Sequence, residues 1–127
     1  MIDMTELYKK QLRIIQLKVD ILLDRHKLDR ARFDRTRLVI LERIGSREEE
    51  IARLQSEINR TVDGLPHVVE LLDKEFRRLM EPVDAAKTTR DLVDARIYLS
   101  NVTYEPREID DFEDEELGYY EEEDLDD

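Results

Sequence analysis

Two histidines are the residues of this sequence best suited to metal or acid–base chemistry. His67 and Glu70 lie three residues apart, a spacing that places both on one helical face and that occurs in carboxylate-bridged di-iron proteins. That site needs the motif twice, with two further glutamates, and the sequence contains no second copy. His67 is therefore predicted to be a surface residue in the first turn of a helix, and His26 to be one member of a charged helix.

Other residues with catalytic potential form no recognisable motif. The chain has no cysteine, which excludes a thiol nucleophile, a disulfide framework and cysteine-ligated zinc. It also lacks a phosphate-binding loop, a glycine-rich dinucleotide turn and a nucleophile motif. We predict that the protein is not an enzyme and that it has no catalytic, cofactor-binding or metal-binding residues.

The last 23 residues, 105–127, form an acidic tail. They contain fourteen acids and one base, so they carry a charge of −13, while the whole chain carries −12 and residues 1–104 are left near +1. Acidic runs often serve only to keep a protein soluble. This tail also contains apolar and aromatic residues that can anchor it once its charge has steered it to a basic surface. We predict that the tail docks a partner through Phe112, Leu117, Tyr119, Tyr120, Glu121, Glu122 and Glu123, and that the basic target is a partner protein or the arginine-rich helix of a neighbouring subunit.

The N-terminal third of the chain is predicted to be one long helix, residues 1–44, because residues 3–44 contain neither proline nor glycine. It would be about 60 Å long, which exceeds what a compact domain of this size can flank. One apolar stripe comprises Leu12, Ile15, Val19 and Leu22. A second stripe beside it makes the apolar surface broad, so it must be covered by other helices. We predict that the first stripe is a coiled-coil-like interface in a homo-oligomer.

Within this helix, residues 24–38 repeat a five-residue pattern of Asp, Arg and an apolar residue. Asp29 and Asp34 each lie three or four residues from two arginines, a spacing that supports a solvated helix by about 0.2–0.5 kcal/mol per pair. A local excess of three positive charges is what phosphate binding requires. The bases spiral around the helix, however, and the chain as a whole is acidic. Direct nucleic-acid binding is therefore disfavoured.

Two further boundaries are expected. Gly45 can close a helix, and Ser46 with Glu49 has the spacing of a capping box, so a helical hairpin is predicted over residues 46–81. The alternative is one helix that runs through Gly45 at a cost of about 1 kcal/mol. A second stop falls at residues 63–66, where Pro66 is suited to the first position of the next helix. Residues 82–104 are interpreted as a helix followed by an extended connector, with a strand or a helix end as alternatives for residues 96–104.

The fold class is thus predicted as all-α: a long N-terminal helix, a helical hairpin and an extended acidic C-terminal arm. The N-terminus lacks the pattern of a signal peptide, and no apolar run approaches the roughly 18 residues of a membrane span. We expect a soluble protein of the cytoplasm or of a virion, with no membrane contact. The expected function is that of a non-enzymatic assembly, scaffold or adaptor protein that oligomerises and docks a partner. The alternative is an acidic inhibitor or regulator that mimics nucleic acid.

Overall fold

The computed structural model describes residues 2–105 and confirms the all-α class, since it contains four helices and no strand within that range. The helices are α1 (Met4–Arg30), α2 (Asp34–Thr61), α3 (Pro66–Asp84) and α4 (Thr89–Ser100). In this part of the chain, none of the helices is both long enough and apolar enough to cross a membrane. The predicted tail-docking residues, from Phe112 to Glu123, lie outside the described residues.

The predicted continuous helix over residues 1–44 is wrong, because α1 ends at Arg30 and the chain turns back at residues 31–33. Ala31 has an extended backbone, and Arg37 from α2 donates a hydrogen bond of 2.9 Å to the carbonyl of Leu28 in the last turn of α1. The Leu28 carbonyl also accepts a 3.2 Å hydrogen bond from the Ala31 amide, so this carbonyl at the helix end is fully paired. The reversal lets Ile40 and Ile44 pack on Ile21, and this burial favours two packed helices over one exposed rod.

The predicted break at Gly45 is also wrong, and the alternative of an uninterrupted helix is correct. Apolar residues before and after Gly45 keep the same face against α1, so burial along all of α2 offsets the weak helix propensity of glycine. A Cβ atom added at Gly45 would meet nothing within 4 Å.

The next turn forms where it was predicted: Gly64 has a φ of 77°, and Pro66 begins α3. The expected end at residue 81 falls short, since α3 continues through Pro82 to Asp84.

Residues 96–100 form the end of a helix, α4, and residues 102–105 have no regular structure. A capping box starts this helix, since the side chain of Thr88 accepts a 3.1 Å bond from the Asp91 amide and the Asp91 carboxylate accepts one from the Thr88 amide. For residues 96–100 the structure thus has the helix-end alternative, and the strand alternative is not observed in this segment.

Helix α1 is the central element of the fold. One of its faces packs on α3 and α4, and an adjacent face packs on α2 and the start of α3. The broad apolar surface read from the sequence is thus covered by helices of the same chain. Its largest fully buried side chains are Ile14, Ile15, Leu17 and Val19.

Candidate interaction surfaces

The residues predicted to form an oligomer interface lie mainly in the core of the chain itself. Leu12, Ile15 and Val19 are 8%, 0% and 0% exposed, and they pack against α3 and α4. Leu22 keeps 36% of its surface exposed. Because α3 and α4 supply the cover that this stripe needs, the physical reason for assigning it to a second subunit no longer applies.

A different apolar surface faces outward on α2. Leu38 and Leu41 are 62% and 48% exposed, and with Gly45 and Ala52 they follow one another at spacings of three, four and seven residues. That spacing places the four residues on one side of the helix, and we call them the outer face of α2. Large apolar side chains that are exposed together are typical of interaction sites.

A basic groove lies between the second half of α1 and α4. It has a volume of about 160 Å³. Its lining includes two apolar residues, Leu23 of α1 and Val93 of α4, and its charged residues are all bases: Lys27 and Arg30 of α1 and Arg96 of α4. His26 and Thr89 complete the lining. The guanidinium nitrogen of Arg96 lies 3.9 Å from a carboxylate oxygen of Asp20. Lys27 and Arg30 form no ion pair with any acid among residues 2–105. The groove therefore offers positive charge to an anionic group.

A buried carboxylate fixes the hairpin of α1 and α2. Asp24 is 3% exposed, and it accepts two hydrogen bonds from Arg43, of 2.7 and 3.2 Å, and a third from Arg47. Burial by itself raises the pKa of Asp24, but the hydrogen bond from Arg43 and the charges of Arg47 and Arg43 outweigh it and lower this pKa below its ordinary value. Two charge-assisted contacts thus hold α2 at a fixed position along α1.

The chain is anchored immediately before the tail. The ring of Tyr104 stacks on that of Tyr8 in α1, with 5.1 Å between their centroids, and its hydroxyl donates a hydrogen bond to Glu75 in α3. Glu75 also accepts two bonds, of 2.8 and 2.6 Å, from Arg78. Burial and the hydrogen bond to Glu75 raise the pKa of Tyr104 well above that of an ordinary tyrosine. The tail therefore starts from a fixed point beside the first turns of α1.

The histidines lie where the sequence placed them. His67 is an exposed residue of the first turn of α3, and His26 is exposed on α1. In the part of the chain that the structure describes, no three histidine, aspartate or glutamate side chains come together as a potential metal site. What sequence reasoning missed is the tertiary role of two residues. The sequence predicts that Asp24 belongs to a solvated repeat, and it predicts no basic surface around Arg96.

The fold and these surfaces define a small all-α protein with a buried ion cluster, an outward apolar face and a basic groove. Comparison with protein-family models, with curated proteins and with solved structures finds no match for this chain.

Proposed function

We propose that this protein is a non-enzymatic assembly, scaffold or adaptor protein, of the kind found in virions and multiprotein complexes. In this proposal it self-associates through an amphipathic helix and docks a partner protein with its acidic tail. The observation that carries the proposal is the exposure of Leu38 and Leu41 on the outer face of α2, since the other helices bury most of their leucines.

A second copy of the chain is the occupant that best suits the outer face of α2. Leu38, Leu41 and Gly45 follow one another at steps of three and four residues, the spacings by which one helix packs on another. Gly45 and Ala52 continue the same side, and the open space around Gly45 permits a neighbouring backbone to approach closely. Two identical faces related by a two-fold axis complement each other, which is the commonest arrangement in homodimers.

Replacing Leu38 and Leu41 together by serine is expected to raise the dissociation constant of the oligomer by at least about a hundredfold, because each buried leucine contributes about 1.5–3 kcal/mol. Light scattering or sedimentation across a concentration series measures this change. Ile97→Ser is the matched control, since Ile97 is 54% exposed on α4, away from the outer face. A native chain that is monomeric at every concentration would contradict self-association, and equal effects of both variants would contradict the choice of face.

The tail is proposed to be the element that grips a protein partner with a basic surface. Its fourteen acids accelerate encounter with such a surface, and its aromatic residues provide the anchors that dominate binding energy. The packing of Tyr104 on Tyr8 fixes the starting point of the tail on the body.

Truncation to residues 1–104 is expected to abolish recovery of the partner when the full and shortened chains are compared by quantitative co-purification from the native host at one salt concentration. Substitution of Glu121, Glu122 and Glu123 by glutamine keeps the aromatic anchors, and we expect it to weaken recovery at least about tenfold. Equal recovery with the truncated chain would contradict tail docking. Release of the partner by competing DNA or RNA would instead support the nucleic-acid mimic.

A further inference from the structure

The chain carries two parts of opposite charge that suit one another. The basic groove is lined by Lys27, Arg30 and Arg96 together with the apolar Leu23 and Val93, and the tail combines acids with leucine and tyrosine. A surface that combines cations with apolar side chains fits a segment that combines carboxylates with apolar side chains. A groove of about 160 Å³ suits individual side chains of an extended segment.

We propose that tail residues 117–124 occupy the basic groove of their own chain when no partner holds them. This inference goes beyond the proposed function, because it concerns where the tail lies in the isolated protein. Carboxylates of Glu121 to Asp124 pair with Lys27, Arg30 and Arg96, and an apolar side chain of residues 117–120 packs on Leu23 and Val93. A partner that captures the tail must then displace it, and doing so uncovers the groove.

The length of the tail permits this contact. Tyr104 stacks on Tyr8, and nineteen residues of α1 separate Tyr8 from Lys27 in the groove, a distance of about 28 Å at about 1.5 Å per residue. An extended chain covers about 3.3 Å per residue, so the first tail residue that can reach the groove is near position 113. The segment from Leu117 onward reaches it with several residues to spare, whereas Phe112 falls short.

The tail of the same chain is favoured over that of a second copy because the two sites are already linked. A covalent connection of this length gives an effective concentration in the millimolar range, far above that of a second copy at micromolar protein. The exposed charges of the groove are screened by salt, so the contact is expected to weaken as ionic strength rises.

The absence of cysteine in the chain allows a single spin label to test this placement in the full-length protein. With the label attached at Gly118→Cys, the amide signals of residues 23–30 and 89–96 are expected to broaden in NMR spectra, at concentrations where the chain is monomeric. The variant Lys27→Glu with Arg30→Glu is expected to reduce the docked population at least about tenfold. Salt of about 1 M, where the Debye length is about 3 Å, is expected to relieve the broadening without any substitution.

The variant Lys74→Glu with Arg77→Glu is the matched control, because it makes the same charge change at exposed positions of α3 and should leave the broadening intact. The proposal is overturned if the groove signals do not broaden or if both double variants relieve the broadening equally. It is also overturned if equal broadening appears when spin-labelled chains without isotope are mixed with isotope-enriched chains that carry no spin label, which assigns the tail to a second copy. No partner is present in this measurement, so its failure leaves partner docking untouched, and loss of partner docking leaves this result untouched.

Discussion

Replacing Asp24 by alanine is expected to lower the free energy of unfolding by about 3 kcal/mol. Removing one partner of a buried ion pair costs about 3–5 kcal/mol, because the opposite charge is left without compensation. The side chains of Arg43 and Arg47 keep 41% and 27% of their surface exposed, so water can solvate them in part, and the lower end of that range applies. Urea unfolding followed by helical circular dichroism measures the change.

The same carboxylate makes stability depend on pH in a defined direction. Since the pKa of Asp24 is lower in the folded chain than in the unfolded one, folding favours the ionised form. Its contribution is present above the ordinary aspartate pKa of about 3.9 and is lost as the pH falls through the lowered value. The unfolding free energies of the native chain and of Asp24→Asn should therefore differ at neutral pH and approach each other in acid.

Asp29→Ala is the control for both measurements, because Asp29 is an exposed aspartate of α1. Its replacement should change stability by no more than about 0.5 kcal/mol, as is usual for surface positions. Losses of equal size at Asp24 and Asp29 would contradict a special role for the buried carboxylate. A difference between the native chain and Asp24→Asn that persists unchanged in acid would contradict its ionisation in the folded state.

The helical content and the two stripes of α1 could be predicted from sequence because they depend on local periodicity, which burial by α2, α3 and α4 then satisfies. The reversal of the chain at residues 31–33 could not be predicted from the sequence, because those residues include neither glycine nor proline. Its energy comes from packing Ile21 against Ile40 and Ile44, positions 19 and 23 residues apart. The prediction of a helix end at Gly45 is wrong for the opposite reason. Glycine favours the end of a helix locally, but the apolar residues before and after Gly45 are buried against α1 and keep α2 continuous.

A surface formed by distant segments could not be predicted from the sequence. The charge of the tail is evident in the sequence, and the exposed positions of His26 and His67 follow from their local context. The basic groove joins Lys27 and Arg30 to Arg96, which lies more than sixty residues away in sequence. Asp24 looked like its repeat neighbours Asp29 and Asp34, and only the return of α2 brings Arg43 and Arg47 to it.

Ile15→Ala is expected to lower the free energy of unfolding by about 2–5 kcal/mol, because truncating a buried isoleucine removes its burial and leaves a cavity. Leu22→Ala, in the same sequence stripe, is expected to cost less than about 1 kcal/mol. The reason is that Ile15 is 0% exposed between α1, α3 and α4, whereas Leu22 is 36% exposed. Chemical unfolding of both variants, followed by helical circular dichroism, measures the difference.

Protein concentration separates a core from a subunit interface in this pair. If the stripe packs inside one chain, the loss caused by Ile15→Ala is the same at low and high concentration, because no association equilibrium is coupled to it. If the stripe joins two chains, the losses caused by Ile15→Ala and Leu22→Ala themselves depend on concentration, and both variants should raise the dissociation constant. If the two variants instead lose similar amounts of stability, and if these losses grow on dilution, the stripe is a subunit interface. That result would contradict the burial of Ile15 against α3 and α4 as the cause of its effect.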